Sequence, residues 1–164
     1  GSEMCIRDSP TGMIYDQKEL QAIGEWAVKH DILIVADDIY GRLVYNGNEF
    51  TPIATISEAI RKQTIIINGV SKTYAMTGWR IGYALGNQEI IDGMIAIASQ
   101  STSNSTAVSQ YAAIEALTGE QDPVEEMRLA FEERLNILYP LVSNLPGVTL
   151  NKPQGALSTR PSAI

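Results

Sequence analysis

The chain has 164 residues, of which 45% are hydrophobic and 19% charged, and it carries a net charge of −7. This composition is typical of one folded domain, or of one domain and part of a second. The acidic balance argues against nucleic-acid or anionic-lipid binding, and no apolar run could span a bilayer. Single Cys5 and His30 residues exclude an intrachain disulfide and argue against a Cys/His zinc site. We expect a cytoplasmic protein with no nucleic-acid or membrane partner.

Regular patterning begins at residue 10. Residues 1–9 show neither a helical nor a strand period, and we interpret them as a tag, a fusion scar or a sequence-assembly artefact. The next segment, Pro10-Thr11-Gly12, has turn chemistry. Asp16 and Glu19 then have the spacing of a capping box, which predicts a helix that continues to about residue 30.

Three short apolar runs predict strands. Residues 32–36 and 64–68 are rich in β-branched side chains without polar interruption, which is typical of strands buried on both faces of a parallel sheet. A short helix is predicted near residues 57–61 and a third strand over about residues 80–85. Helices that alternate with apolar strands predict an α/β layered fold, in which ligands bind beyond the carboxyl ends of the strands.

The second half of the chain is predominantly helical in its pattern. A helix is predicted from Gln88, and the small polar residues 101–105 end it. A second helix is predicted over residues 106–117, with Gly119 at its C′ position. The apolar face of the first of these helices consists of Ile90, Ile91, Met94 and Ile97.

A domain boundary is predicted between residues 118 and 121. Beyond it, Asp122 and Pro123 predict the N-cap and the first residue of a helix that continues to about residue 142. Residues 147–151 are predicted to open a new unit as a strand. Residues 157–164 carry no helix or strand signal.

Polar side chains follow the predicted strands, where a ligand is expected. Lys72 follows the second strand, where a lysine can be partly desolvated and so act as an amine nucleophile. The planar guanidinium of Arg80 suits an anion, and Asp37 at the end of the first strand is a carboxylate that needs a cationic partner if it is buried. Tyr40 can donate from its phenol. Taken alone, each residue also fits an ordinary structural role. Lys72 fits a solvated loop lysine and Arg80 an ion pair. Asp37 fits a turn or cap residue, and Tyr40 fits core packing.

Three motifs occur in a fixed order along the chain. They are Pro10-Thr11-Gly12, Val35-Ala36-Asp37-Asp38-Ile39-Tyr40, and a run that reads Ser71-Lys72-Thr73-Tyr74-Ala75-Met76-Thr77-Gly78-Trp79-Arg80-Ile81-Gly82-Tyr83. Together they resemble the pyridoxal-phosphate-dependent class I aminotransferases, most closely the bacterial aspartate aminotransferases. The resemblance covers residues 10–156, well under half of a complete family member, and implies an interior fragment.

The resemblance implies the α/β fold of the fold type I transferases, with a mostly parallel sheet flanked by helices. Residues 10–118 would form part of the cofactor-binding large domain, and residues 119–156 would begin the small C-terminal domain. Residues 157–164 would be a non-native end.

The resemblance also implies a role for each candidate residue. Lys72 would bind the aldehyde of pyridoxal 5′-phosphate as a Schiff base and move a proton at the substrate Cα. Asp37 would keep a proton on the pyridine nitrogen, which makes the ring a better electron sink. Tyr40 would donate to the 3′ oxygen, and Arg80 would clamp the phosphate with help from the Ser71 hydroxyl. We predict that these residues converge on one pocket.

Three positions depart from the family pattern. Ser9 stands where the family has an asparagine that contacts the cofactor. Gly69 stands three residues before Lys72, where a phosphate-binding serine is common, and offers only its backbone N–H. After Gln154-Gly155-Ala156, residues 157–160 replace an aromatic strand of the family.

The activity that the resemblance implies is transfer of an amino group between an amino acid, predicted to be aspartate, and a 2-oxo acid, in a homodimeric parent protein. The family's remaining cofactor and substrate contacts lie outside this sequence, so we expect the chain alone to be inactive. A carbon–sulfur lyase or an aminotransferase-like regulator of the same fold stays open, since their pockets share these residues. The hypothesis of a magnesium site at Asp37-Asp38 for phosphoryl transfer has less support, because it leaves Lys72 without a role.

Overall fold

The computed structural model describes residues 12–156 and 162–163, so the predictions for Ser9, Pro10, Thr11 and most of the closing segment lie outside the described residues. The chain groups into two compact units. The first comprises Tyr15–Ile39 and Thr51–Gly119, and the second comprises residues 12–14, Tyr40–Phe50 and residues from 120 onward. The assignment of residues 10–118 and 119–156 to the family's two domains stays a prediction.

The first helix, α1 (Gln17–Lys29), is capped as its sequence predicts. The Asp16 carboxylate accepts a hydrogen bond from the Glu19 backbone N–H, and the Glu19 carboxylate accepts one from the Asp16 N–H, both at 2.8 Å. This reciprocal pair satisfies donors that the first turn of a helix otherwise leaves without partners. The prediction of a helix with a capping box is confirmed.

A three-stranded mixed sheet belongs to the first unit. Its strands are β1 (Ile34–Asp37), β2 (Thr64–Gly69) and β3 (Gly82–Leu85), in the order β1-β2-β3. β1 and β2 are parallel, whereas β3 runs antiparallel to β2. The α/β prediction is therefore confirmed.

Three details of the strands differ from the prediction. The first strand was predicted over residues 32–36, whereas β1 begins at Ile34 and ends at Asp37. In β1, Ile34 and Ala36 are buried while Val35 and Asp37 are half-buried, so this strand is not buried on both faces. β3 begins at Gly82 rather than near residue 80, because Arg80 has a left-handed backbone with φ 56°, which a strand does not accommodate.

The core of the first unit is formed by α1, β1, a 3-10 turn (Ile53–Thr55) and the short helix α2 (Glu58–Lys62). The Ser57 hydroxyl caps α2 by accepting from the Ile60 N–H at 3.3 Å. Removing apolar side chains from water is the main term that stabilises this packing. The buried members of the core are Leu20, Ala27, Ile34, Ala36, Ile53 and Ile60.

Two further helices of the first unit, α3 (Gln88–Ser101) and α4 (Ala107–Thr118), carry apolar side chains that the described residues leave exposed. The predicted apolar face of α3 is not buried, since Ile97 is 72% exposed. On α4, Tyr111 is 75% exposed. Within the described ranges, none of the helices has both the length and the apolar character that crossing a membrane requires.

The second unit contains the long helix α5 (Asp122–Ser143) and the antiparallel pair β4 (Val148–Thr149) and β5 (Ser162–Ala163). β4 is shorter than the predicted residues 147–151. β5 lies in the closing segment, where the expectation of no strand was wrong. Backbone pairing with β4 decides this two-residue strand, and so short an element leaves no periodic side-chain pattern.

The helix ends near the unit boundary differ by one position from the prediction. Gln121 occupies the N-cap of α5, so Asp122 is its first residue and Pro123 its second. Proline is tolerated there because the first turn does not need its N–H. Gly119 is the C-cap of α4 with φ −78°, rather than a left-handed C′ residue.

Candidate functional site

The strand register brings three of the predicted site residues to one edge of the sheet. β1 and β2 are parallel, with Asp37 beside Ile67, so both strands end at this edge. β3 is antiparallel, with Gly82 beside Gly69, so it starts there. Asp37 ends β1, Lys72 follows β2 and Arg80 precedes β3. We call this the carboxyl edge.

Asp37 is held in an Asx-type turn at the carboxyl edge. Its Oδ1 accepts a hydrogen bond from the Ile39 N–H at 3.2 Å. The Asp38 N–H donates to the Ile67 carbonyl at 2.8 Å and continues the ladder between β1 and β2. The backbone of this segment therefore orients the half-buried Asp37 carboxylate.

Lys72 lies between two buried residues in the loop of residues 70–81. Val70 is fully buried on one side of it, and Thr73 is 5% exposed on the other. The loop closes on itself, because the Val70 carbonyl accepts from the Tyr74 N–H at 3.3 Å and the Lys72 carbonyl accepts from the Ala75 N–H at 3.2 Å. Buried neighbours and local hydrogen bonds thus define the backbone from which the Lys72 side chain extends.

Arg80 closes the same loop in a strained conformation. Its φ of 56°, like the 53° of Ala75, lies in the left-handed region that non-glycine residues rarely adopt. Arg80 Nη1 donates to the Thr77 carbonyl at 3.1 Å, and the Thr77 hydroxyl donates to the Ser71 carbonyl at 3.0 Å. Thr77 therefore connects the segment that carries Ser71 and Lys72 to the arginine.

The structure gives a physical reason for the unusual Gly69. A Cβ at this position would lie 2.8 Å from the Ile81 carbonyl oxygen, closer than van der Waals contact allows. A serine therefore does not fit this backbone. The Gly69 N–H donates to Asn68 Oδ1 at 2.7 Å, so this amide already has a partner.

Tyr40 belongs to the second unit, unlike the other predicted site residues. Its carbonyl accepts from the Leu43 N–H at 2.8 Å. The predicted contact of its phenol with the cofactor, and the convergence of all the candidates on one pocket, stay predictions.

The chemistry of the side chains at the carboxyl edge fits pyridoxal 5′-phosphate. That cofactor has a basic pyridine nitrogen, an aldehyde and a phosphate. The carboxylate of Asp37, the amine of Lys72 and the guanidinium of Arg80 offer one complementary group for each. Ser71, beside Lys72, adds a hydroxyl.

Thr73 and Tyr83 also lie near the carboxyl edge, although their sequence pattern assigned them no role. Burial raises the pKa of the Tyr83 phenol, and the neighbouring Tyr74 raises it further, so Tyr83 keeps its proton at neutral pH. The Thr73 hydroxyl is buried and donates to the Ile39 carbonyl across 3.5 Å. In the sequence, its position next to Lys72 was the one observation that could have indicated a role for Thr73 in the site.

A concave region with a volume of about 470 Å³ lies at the opposite edge of the sheet. It is lined by the start of β2 at Thr64, the end of β3 at Leu85 and the α2 residues Glu58 and Arg61. These two side chains form an exposed ion pair at 2.6 Å. Among the described residues there is no cluster of three or more side chains suited to hold a metal ion.

The sequence matches known aminotransferases. The family profile described as aminotransferase class I and II matches residues 5–159. The chain is 69% identical over 148 residues to an asparagine–oxo-acid transaminase of Streptococcus mutans, which is 90% of this chain and 38% of that protein. It is 58% identical over 153 residues to an aspartate aminotransferase of Bacillus sp. YM-2, which is 93% of this chain and 39% of that protein. The chain therefore spans well under half the length of these relatives.

Solved structures agree with this result. The aspartate aminotransferase from Rhizobium meliloti matches with a TM-score of 0.90 at 34% identity, over 94% of this chain and 39% of that one. The aspartate aminotransferase from Thermus thermophilus with maleate matches with a TM-score of 0.86 at 36% identity, over 94% of this chain and 40% of that one. Matched by the family profile over nearly its whole length, this chain belongs to the class I and II aminotransferases.

Proposed function

We propose that the complete protein transfers an amino group between an amino acid and a 2-oxo acid, with pyridoxal 5′-phosphate bound at the carboxyl edge. The observation that carries this proposal is the placement of Asp37, Lys72 and Arg80 at one edge of the sheet by the β1-β2-β3 register. Membership of the class I and II aminotransferases supports it independently.

Each residue of this set acts on a different atom. Lys72 Nζ holds the cofactor at its aldehyde carbon and carries a proton to and from the substrate Cα. The Asp37 carboxylate holds a proton on the ring nitrogen. The Arg80 guanidinium binds the phosphate oxygens, with the Ser71 hydroxyl beside it. When bound, pyridoxal phosphate supplies the electron sink for the charge left at the substrate Cα.

Tyr40 completes the proposed set as a hydrogen-bond donor to the 3′ oxygen of the cofactor. The support for this role is the match of its motif, residues 35–40, to the family pattern. Tyr40→Phe keeps the ring and removes the donor, so we expect the visible absorption of the bound cofactor to titrate at a different pH while the cofactor is still retained.

The decisive experiment measures cofactor retention by the complete protein. The protein is incubated with excess pyridoxal phosphate and gel-filtered, and its visible absorption is recorded. We expect Lys72→Ala to abolish the absorption of the covalently held cofactor. Lys62→Ala is the matched control, because Lys62 is an exposed lysine of α2, and we expect it to leave the absorption unchanged.

Two outcomes would overturn the proposal. If the unmodified protein does not retain the cofactor in excess, then the carboxyl edge is not a pyridoxal phosphate site. If Lys72→Ala keeps the full absorption, another lysine holds the cofactor. Release of a thiol, pyruvate and ammonia from a sulfur-containing amino acid, without amino transfer, would instead favour the carbon–sulfur lyase.

We further propose aspartate as the amino donor. The support is the similarity to proteins named aspartate aminotransferase, at 58% identity for one of them. Asparagine is the second candidate because a relative at 69% identity is named asparagine–oxo-acid transaminase. The ratio of kcat/KM for the two donors with one 2-oxo acid decides between them, and a ratio in favour of an aromatic donor would contradict both.

We also propose that the complete protein is a cytoplasmic homodimer, as expected for a class I and II aminotransferase. We propose that residues 10–118 contribute to its cofactor-binding large domain and residues 119–156 to the start of its small domain. Light scattering of the complete protein tests the dimer, and a monomer that binds cofactor and turns over would contradict it.

A further inference from the structure

One residue at the carboxyl edge links the two segments that carry Asp37 and Lys72. The Thr73 hydroxyl donates to the Ile39 carbonyl across 3.5 Å, and the Ile39 N–H donates to Asp37 Oδ1 at 3.2 Å. Ile39 therefore contacts the carboxylate through its N–H and the loop of Lys72 through its carbonyl. Both hydrogen bonds lie within the first unit.

The environment of Thr73 explains why a hydroxyl at this position matters. Thr73 is 5% exposed, and a buried hydroxyl without a hydrogen bond is costly. Its β-branched side chain also has few rotamers, so the bond to Ile39 restrains the backbone of the neighbouring Lys72. A valine of the same shape would fill the space without making the bond.

We propose that Thr73 is a positioning residue whose hydroxyl, through Ile39, holds the Lys72 amine at a set separation from the Asp37 carboxylate. This inference rests on the proposed function, in which those two groups act on opposite parts of one cofactor. A role in packing alone makes the opposite prediction for conservative variants. If the hydroxyl positions Lys72, then Thr73→Ser should retain the behaviour of the unmodified protein and Thr73→Val should lose it. If only the shape of the side chain matters, then Thr73→Val should retain it and Thr73→Ser should lose it.

The first test uses the cofactor-free complete protein, so it does not depend on activity. An amine-specific acylating reagent is applied at a series of pH values, and the labelling of Lys72 is followed by peptide mass spectrometry. Without the hydrogen bond to Ile39, the backbone beside Lys72 is less restrained, so its amine becomes more accessible to the reagent. We expect roughly fivefold faster labelling of Lys72 in Thr73→Val, the size of effect expected for one net hydrogen bond.

Matched variants separate the hydroxyl from the rest of the side chain. In Thr73→Ser, Lys72 should be labelled at the same rate as in the unmodified protein. In Thr73→Ala, which introduces no bulk, Lys72 should be labelled at the faster rate expected for Thr73→Val. Thr55→Val is the control, because the Thr55 hydroxyl also donates to a carbonyl, that of Pro52 at 2.7 Å, but on an exposed turn. Labelling of Lys62 in the same samples should stay constant.

A double-mutant cycle tests the path through Asp37. In an Asp37→Ala background the Ile39 N–H has lost its carboxylate acceptor, so Thr73→Val should change Lys72 labelling less than it does in the unmodified protein. The second readout is the pH midpoint of the visible absorption of bound cofactor, which should shift in Thr73→Val and return in Thr73→Ser.

Three results would overturn the inference. Equal labelling of Lys72 in the threonine, valine and alanine proteins would show that the hydroxyl does not position it. A change in Lys72 labelling with serine but not with valine would assign Thr73 to packing. An unchanged effect of Thr73→Val in the Asp37→Ala background would exclude the path through the carboxylate. Failure of the unmodified protein to retain the cofactor would instead contradict the proposed function. The labelling experiment would still test whether Thr73 positions Lys72.

Discussion

In the first unit, apolar side chains from separate segments pack into one core. Leu20 on α1 and Ile60 on α2 are each 1% exposed and share one core cluster. In the second unit, polar groups make the long-range connections. The Tyr45 hydroxyl donates to the Ala156 carbonyl at 2.6 Å, between residues 111 positions apart.

Arg128 is the centre of the polar connections in the second unit. Its guanidinium donates to Glu125 at 2.7 Å, to Glu132 at 2.8 Å and to the Val44 carbonyl at 3.1 Å. Glu132 in turn accepts from the Asn46 N–H at 2.6 Å. These bonds attach the segment of residues 40–50 to α5.

The two kinds of connection respond to different perturbations. Apolar packing depends on the volume of each side chain and carries no charge, so it is insensitive to pH. A hydrogen-bonded network depends on single polar atoms and on the ionisation of its carboxylates. Core substitutions should therefore act on the first unit, and polar substitutions or acid should act on the second.

The largest effect is expected for Leu20→Ala. Leu20 is almost fully buried, and the cavity left by truncation costs about 3 kcal/mol of the free energy of unfolding. Urea unfolding measures this loss, and hydrogen exchange should rise in β1 and β2. Lys18→Ala, on the exposed side of α1, is the control. A loss no larger than that of the control would contradict an apolar core at this position.

Next in size is Gly24→Ala, compared with Gly93→Ala. A Cβ at Gly24 would lie 2.5 Å from Ile60 Cδ1 in the core, so we expect a loss of roughly 1–3 kcal/mol. At Gly93 on α3, no atom of the described residues beyond the adjacent residues and the local helix backbone lies within 4 Å of the added Cβ, and alanine should stabilise the helix by about 1 kcal/mol. Urea unfolding measures both changes in the free energy of unfolding, the expected loss at Gly24 and the expected gain at Gly93. A loss at Gly93 would show that a segment outside the described residues packs there.

A smaller and more local effect is expected for Tyr45→Phe. Burial raises the pKa of Tyr45 to about 12, so its hydroxyl remains a donor through the neutral range. Removing it leaves the buried Ala156 carbonyl without this partner, at a cost of about 1–2 kcal/mol. Hydrogen exchange should rise near residues 154–156 and stay constant in β1. Tyr111→Phe, at an exposed tyrosine, should change neither.

Acid should produce the smallest effect, because ion pairs that remain in contact with solvent contribute little. The Asn46 N–H and then Arg128 hold the pKa of Glu132 below its ordinary range, and Arg128 does the same for Glu125. Their contribution is complete above the unfolded glutamate pKa of about 4.3 and is lost as the pH falls through the lower folded values.

The measurement is the hydrogen-exchange protection of residues 44–48 relative to that of β2 as the pH falls below about 4. We expect the ratio to fall, and we expect Glu132→Gln to lower it already at neutral pH and to flatten its acid dependence. A ratio that stays constant across this range would show that the carboxylates do not hold the segment.

Local chemistry made part of this fold predictable. The capping box of Asp16 and Glu19 involves groups three residues apart, so its pattern identified the start of α1. The apolar run at residues 64–68 predicted β2 because a strand in the middle of a sheet requires apolar side chains along its length. The start of β3 was less accurate, since the left-handed backbone of Arg80 depends on how the loop of residues 70–81 closes.

The sequence by itself determined the order of the helices and strands from α1 to β4 and singled out the candidate reactive groups, because caps, apolar runs and ionisable side chains act over a few residues. Only the tertiary structure decided that β3 runs antiparallel, which puts Arg80 beside the ends of β1 and β2. It also decided that residues 40–50 join the second unit and that Thr73 reaches Ile39. These outcomes depend on hydrogen bonds between residues far apart in the chain, and no local pattern records such pairings.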